Sequence, residues 1–274
     1  MKTKLKIIRI IQNTTAWVIS LIILIPGALI FLNSFKTQAE SYNLDFVLPK
    51  TFMLENYLTV IERGHLVVAF FNSLIYALGS TILLVLISTL AAFVLVRNQS
   101  RLNRFIYYFV ILGISLPLNY VSLMKVMMLL NLNNTRYGII LLYAAIGVPF
   151  SLFVACGFID TIPKELDESA IIDGCSPLSL FTRIIFPLLK PVTATLFVLN
   201  FLGTWNDFTI TIYFLNNSSK MPMTLAVYNF FGQFSQSWNL VCADIVLTTI
   251  PVLIVYVLGQ KYIISGMTSG SVKG

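Results

Sequence analysis

Two stretches of the chain carry residues whose types and spacing could grip a partner or a solute. The first, Asp160 to Pro191, reads DTIPKELDESAIIDGCSPLSLFTRIIFPLLKP and holds Asp160, Glu165, Asp167, Glu168 and Asp173. Pro163 can open a helix, and the acids near its start complement the positive end of the helix dipole. Leu166 and Ala170 lie four apart and share a face, with Ile171 beside them. Gly174 supplies a stop or sharp turn. Ser176 followed by Pro177 makes an N-cap and first position for a second short helix, and Pro187 and Pro191 punctuate its end. The pattern predicts two short helices meeting at Gly174, the first offering a small apolar ridge flanked by acids. An ordinary solvated connector and a docking knob both fit it. In the second reading Ala170 lets a partner approach closely, and Glu168 offers an arginine a bidentate acceptor.

The second stretch is Trp205-Asn206-Asp207, inside an apolar run. A charge in such a run costs roughly 2.5–3.5 kcal/mol on insertion scales, so Asp207 should face a cavity or a partner. Aromatic faces stack on the apolar faces of sugar rings, and amides and carboxylates bind hydroxyls, so the group suits a carbohydrate path. A helix-packing cluster between subunits is the competing reading. Asn119 and Asn200 are weaker lining candidates, with interhelical hydrogen bonding as the alternative. Tyr228, Phe230, Phe231, Phe234 and Trp238 crowd the loop 216–241, which suggests a patch for a protein partner or for lipid headgroups.

Other chemistry is missing. The dipeptide Gly-Lys does not occur, so there is no phosphate-cradling P-loop and the chain is not itself an ATPase. Cys156, Cys175 and Cys242 lack metal-ligand spacing and are odd in number. His65 reads as an incidental loop residue, and no catalytic triad, metal cluster or acid pair stands out. Asp244 is unusual, explained only by pairing or exposure.

The elements that would position these residues are membrane helices. The chain of 274 residues is 57% hydrophobic and 11% charged, against about 25% charged in soluble domains. A span needs about 20 predominantly apolar residues. Six windows qualify: Thr14–Leu32, Val67–Val96, Phe105–Leu130, Tyr137–Ile159, Pro191–Leu215 and Ala243–Ile264. The first is too long for a signal-peptide core and lacks a cleavage site, so it reads as a retained span. Pro26, Pro117, Pro149 and Pro251 fall inside spans. The net charge of +7 reflects orientation rather than nucleic-acid binding. One side collects twelve of the eighteen Lys and Arg, including Lys2, Arg97, Arg101, Arg104 and Lys164, which predicts both termini in the cytoplasm. It also predicts 160–190 inside and the loops 33–66 and 216–242 outside. The expected fold is an all-α integral membrane protein, one domain over 1–274, with a tail at 265–274 that reads alone as frayed.

With these residues on the page, the 160–190 segment resembles the EAA loop of ABC importer permeases. The pattern appears as Glu168-Ser169-Ala170, Gly174, Ile184 and Pro187, with Ser169 in place of the usual first alanine. The fuller form, with Ile162 to Leu166, Asp173-Gly174 and Pro187 to Pro191, is similar to the carbohydrate branch and its MalG-like, maltose-type permeases. Asn33 to Lys36, Asn56-Tyr57, Asn72-Ser73, Ala91-Ala92 with Arg97, Trp205 to Phe208, Met221 to Leu225 and the tail from Gly266 extend the likeness along nearly the whole chain.

The resemblance implies a type I ABC importer permease fold in a prokaryotic plasma membrane. Glu165, Glu168, Ser169, Ala170, Asp173, Gly174, Ile184 and Pro187 would couple to two cytoplasmic ATPase subunits, which carry ATP and Mg. A tail containing Gly266, Gly270 and Lys273 would insert near those ATPases. A second, MalF-like permease subunit, an extracytoplasmic solute-binding protein and a carbohydrate, with an oligosaccharide expected, are the further implied partners. The chain itself would bind no cofactor and catalyse no reaction. Three other readings compete: an ABC permease for a non-sugar solute, an ion-coupled secondary transporter, and an intramembrane enzyme. The ion-coupled reading would want more intramembrane acids than Asp207 and Asp244.

Overall fold

The computed structural model describes the backbone of residues 2–230 and 237–269, and the side chains of 9–230 and 237–262. Among the described residues every regular element is helical. In chain order these are α1 (Lys2–Asn33), α2 (Gln38–Ser41), α3 (Glu55–Arg63), α4 (Leu66–Arg97), α5 (Arg101–Ser115), α6 (Tyr120–Leu129) and α7 (Arg136–Ile159). They are followed by α8 (Glu165–Ile172), α9 (Pro177–Leu180), a π-helical turn (Phe181–Ile185), α10 (Phe186–Leu188), α11 (Lys190–Asn206), α12 (Thr209–Phe214), a 3-10 turn (Ser218–Lys220), α13 (Met223–Ala226), a second 3-10 turn (Val227–Phe230) and α14 (Trp238–Ser269).

Among the described residues four helices are long and apolar enough to cross a membrane: Arg9–Asn33, Leu66–Arg97, Arg136–Ile159 and Trp238–Tyr262. A fifth forms if Pro177–Leu188 and Lys190–Asn206, bent by 75°, count as one. The expected third and fifth spans are each broken. Phe105–Leu130 divides into α5 and α6 because Pro117 forces the residue before it out of helical geometry. Leu116 is extended at φ −83° and ψ 127°, and Asn119 then caps α6 by accepting the N–H of Ser122. Pro191–Leu215 breaks at Asp207, whose backbone is extended at ψ 131°. Pro26, Pro149 and Pro251, by contrast, stay inside continuous helices. The expected frayed end after Ile264 is also corrected: α14 continues to Ser269, with Gly266 inside it. One glycine in that stretch lowers helix propensity by only about 1 kcal/mol, too little to end a 32-residue helix. Gly270 and Lys273 lie outside the described residues.

The chain divides into two compact units. In the first, Met1–Val67 with Ala226–Ile250, the side chains of residues 9–28 on α1 are exposed. Beyond α1, buried polar groups tie the segments together. Lys36, 1% exposed, donates to the carboxylate and the carbonyl of Asp45 at 2.6 and 2.8 Å. Asn56 donates to the carbonyls of Ser34 and Lys36, Ser34 shares a 2.6 Å hydrogen bond with the Tyr57 hydroxyl, and Asn239 donates to Asn56 Oδ1. Phe230 is buried against Gly64, Tyr228 is exposed, and Trp238 is half-buried. Phe231 and Phe234 lie outside the described residues.

The second unit, Val68–Leu225 with Pro251–Gly274, holds the helices that position the candidate site. Its core runs through Leu84, Ala92 and Phe93 of α4, Leu152, Ala155 and Ile159 of α7, and Leu189 and Leu196 near α11. Small residues let these helices close in, as interhelical contacts in membranes require. A side chain on Gly113 would meet the ring of Pro149, and one on Gly259 would meet Val198.

Candidate functional site

The segment between α7 and α11 has two faces. Gly174 adopts φ +78°, and the turn it makes closes α8 with two hydrogen bonds, Gly174 N–H to Ile171 O and Cys175 N–H to Ala170 O. This is the Schellman arrangement, which needs a left-handed residue and hence glycine. Ser176 then caps α9 by accepting the N–H of Ser179, with Pro177 at its first position. The predicted pair of short helices meeting at Gly174 is therefore present, with α8 starting at Glu165, two residues after Pro163.

Ala170 does not belong to the exposed ridge expected of it. It is buried in the core cluster with Ile162, Leu180, Phe181 and Ile185. Helical periodicity explains the correction: Asp167 and Ala170, three apart, form the inward face of α8. The apolar surface left outward is Leu166, Ile171, Ile172 at 85% exposure and, across the turn, Leu178 at 67%. Glu165, Glu168 and Asp173 are exposed beside it. Ser169 is exposed, but its hydroxyl donates to the Glu165 carbonyl at 2.7 Å. Ile184 is half-buried against the core, and Pro187 is exposed. Phe181 contacts the rings of Phe93 and Phe186 at centroid distances of 5.5 and 5.7 Å. A connector seated this way is braced, and its outer face combines acids with bare aliphatic side chains.

Sequence reasoning passed over the two side chains that fasten α8. The Nε of Arg97, at the end of α4, lies 2.5 Å from Oδ2 of Asp167, and Nη2 donates to Oδ1 at 3.3 Å and to the Ile162 carbonyl at 3.1 Å. The available signal was the three-residue spacing of Asp167 from Ala170, which puts an acid on whichever face Ala170 takes.

The candidate solute-path residues are brought to different places. Trp205 is 2% exposed, stacked on Phe201 at 5.6 Å and edge-on to Phe70 at 5.9 Å, so its ring serves packing. Asn200 donates to Ser151 Oγ at 3.2 Å and to the Leu196 carbonyl. Asn119 is exposed and occupied as a helix cap. Asn206 is exposed and Asp207 half-buried at the break between α11 and α12. Asp207 Oδ1 accepts from the Tyr143 hydroxyl at 3.0 Å and from the N–H of Ile210 at 2.8 Å, so the carboxylate caps α12. Asp244 is 1% exposed, and its Oδ1 has no hydrogen-bond partner among the described residues.

A further constellation fixes the 216–223 loop. Asn72 on α4 donates to the carbonyls of Ser219 and Met221, and Tyr76 donates to that of Lys220 at 2.8 Å. Arg136 bridges Asn72 Oδ1 and the Ser219 carbonyl. Ser73 accepts the N–H of Met223.

Residues 84–269, which hold the C-terminal part of α4 and all of α5 through α14, match the model of the binding-protein-dependent transport system inner membrane component family. The chain belongs to that family. It is therefore a multi-pass membrane component of a transporter. The multiple sugar-binding transport system permease protein MsmG of Streptococcus mutans is 35% identical over 258 residues, covering 92% of this permease and 93% of that protein. The probable starch degradation products transport system permease protein AmyC of Thermoanaerobacterium thermosulfurigenes is 33% identical over 257 residues, 93% of this chain and 94% of the relative. The melibiose/raffinose/stachyose import permease protein MelC of Bacillus subtilis is 33% identical over 253 residues, 91% of each. Among solved structures, a chain of a bacterial ABC transporter involved in the import of the acidic polysaccharide alginate gives a TM-score of 0.83 over 94% of this chain and 96% of its own. At 21% identity that likeness shows a shared fold.

Proposed function

We propose that this permease forms half of the translocation pathway of an ABC importer for a carbohydrate, with an oligosaccharide as the expected solute. The relatives named for starch products, melibiose, raffinose and stachyose support the solute class. Its partners are a second, MalF-like permease subunit, an extracytoplasmic solute-binding protein and two cytoplasmic ATPase subunits. ATP and Mg are bound on those ATPases. The single domain spans 1–274 and crosses the membrane six times, the third crossing made by α5 with α6 and the fifth by α11 with α12. Both termini lie in the cytoplasm, with the tail around Gly266, Gly270 and Lys273 near the ATPases.

The observation that carries the reading is the outward face of α8 and its turn. Glu165, Glu168 and Asp173 flank Ile171, Ile172 and Leu178 on a segment braced from behind by the core. Exposed aliphatic side chains rimmed by acids suit a groove lined by apolar and basic residues, and the bracing lets the groove's movement displace the helices behind it. On the solute side, Asn206 and Asp207 present an amide and a carboxylate at a helix break, where freed backbone groups add further polar contacts.

The reading is tested by reconstituting the complex in proteoliposomes with its binding protein and following oligosaccharide uptake. Uptake that requires ATP, stops with vanadate and ignores a protonophore is expected. Uptake abolished by the protonophore but indifferent to vanadate would sink it in favour of an ion-coupled carrier.

A further inference from the structure

We propose that Arg97 is a positioning residue that locks α8 to α4, making α4 a strut between the ATPase-facing segment and the 216–223 loop. The inference rests on the reading of α8 as the surface an ATPase subunit grips.

With eight residues, α8 is too short to hold its shape or direction alone. Its outward face is exposed, and on the inward face the polar anchor is Asp167. The guanidinium of Arg97 engages both carboxylate oxygens, and through Nη2 also the carbonyl of Ile162. That carbonyl precedes Pro163 and the start of α8, outside any helix. One side chain therefore fastens both α8 and the segment leading into it, and a push on α8 cannot swivel it about that segment. Arg97 and Asp167 are each 12% exposed. Losing either leaves a mostly buried charge unpaired, so the pair resists sliding apart under load.

Arg97 is the last residue of α4, and Asn72 and Tyr76 lie near the other end of the same uninterrupted helix. Twenty-five residues of α-helix separate Asn72 from Arg97, about 37 Å. At that far end α4 holds the carbonyls of Ser219, Lys220 and Met221. The contacts form one continuous path of short hydrogen bonds and helix, from α8 through Arg97 along α4 to the loop. A rigid element fastened at both ends carries displacement without a change of its own shape.

The test uses the full complex with unaltered partner subunits, comparing wild type with Arg97→Gln, Asp167→Asn and Asn72→Ala. The measurement is solute taken up per ATP hydrolysed, beside the amount of ATPase subunit that co-purifies. Each variant is expected to retain its ATPase partners and to lose uptake per ATP by roughly tenfold, the scale of a single coupling contact. Combining Arg97→Gln with Asn72→Ala should be no worse than either alone, since both cut the same path. The exchange Arg97→Asp with Asp167→Arg should recover part of the ratio. An unchanged ratio in Arg97→Gln, or fully additive losses in the double variant, overturns the strut. If Arg97→Gln does not accumulate, Arg97→Lys replaces it, retaining charge but not the three contacts; a wild-type ratio there also overturns the proposal. Failure of the underlying reading appears separately, as a wild-type complex whose uptake needs no ATP.

Discussion

The Tyr143 hydroxyl and the backbone N–H of Ile210 meet on the same oxygen of Asp207, at 3.0 and 2.8 Å. A carboxylate expected to line a path is thus also a helix cap that ties α7 to the start of α12. The two roles are separable. Tyr143→Phe removes one hydrogen bond and should lower thermal stability by about 1 kcal/mol while leaving the KM for solute unchanged. Asp207→Asn keeps an acceptor for the cap but loses the charge, and should raise KM with little loss of stability. Uptake kinetics with thermal unfolding of the purified complex check both. An unchanged KM in Asp207→Asn would confine Asp207 to capping.

Gly174 tests whether the turn or the surface matters in the 160–190 segment. No atom lies within 4 Å of where a Cβ would stand, so Gly174→Ala meets only the penalty of its φ of +78°, about 1–2 kcal/mol. ATPase stimulation should fall in Gly174→Ala and recover in part in Gly174→Asn, which tolerates that conformation better. Glu168→Lys leaves the turn intact and should instead reduce the ATPase subunit recovered on co-purification.

Asn56 and Asn239 form a buried amide pair whose hydrogen bond, at 2.9 Å, joins residues far apart in sequence. Replacing either by Ala strands a buried polar group and should destabilise the protein by about 1–3 kcal/mol. The double variant should lose less than the sum, because each single change already breaks the shared bond. Thermal unfolding of the four species reads this coupling directly.

The Lys36 ammonium beside Asp45, helped by the N–H of Val47, holds that carboxyl below its ordinary value of 3.8. A carboxyl depressed in the folded state adds stability above its unfolded pKa and loses it as pH falls through the folded one. Asp45→Asn should therefore lower the unfolding temperature at neutral pH, where Lys36 is left buried without its counter-charge. The gap between variant and wild type should close as pH drops below about 4. No gap at neutral pH would show that the Asp45 carbonyl, which the variant keeps, rather than the charge, holds Lys36.

The turn at Gly174 was legible because glycine, Ser176 and Pro177 act through local backbone geometry, which sequence reports directly. The inward turn of Ala170 was not legible. Leu166, Ala170, Ile171 and Ile172 surround α8 with apolar positions, so periodicity does not say which side meets the core. The prolines show the same limit. Pro149 and Pro117 remove the same backbone donor, yet only Pro117 ends a helix, helped by the Asn119 cap that follows it. Arg97 and Asp167 are seventy residues apart, and their pairing depends on how α4 and α7 pack. Sequence alone leaves Trp205 open between a stacking surface for sugar and a helix-packing residue, because it does not show that Phe70 and Phe201 enclose the ring.

The break at Pro117 also bears on how the protein enters the bilayer. At fifteen and ten residues, α5 and α6 are each too short to cross alone, since the hydrocarbon layer is about 30 Å thick and a helix rises about 1.5 Å per residue. Neither half is a stable guest in lipid until the other joins it. The non-helical backbone at Leu116 must also find hydrogen-bond partners there, because bare polar groups are not tolerated in lipid. In the proposed six-crossing arrangement this stretch would enter late, after α7, whose Pro149 ring packs where a side chain on Gly113 would stand.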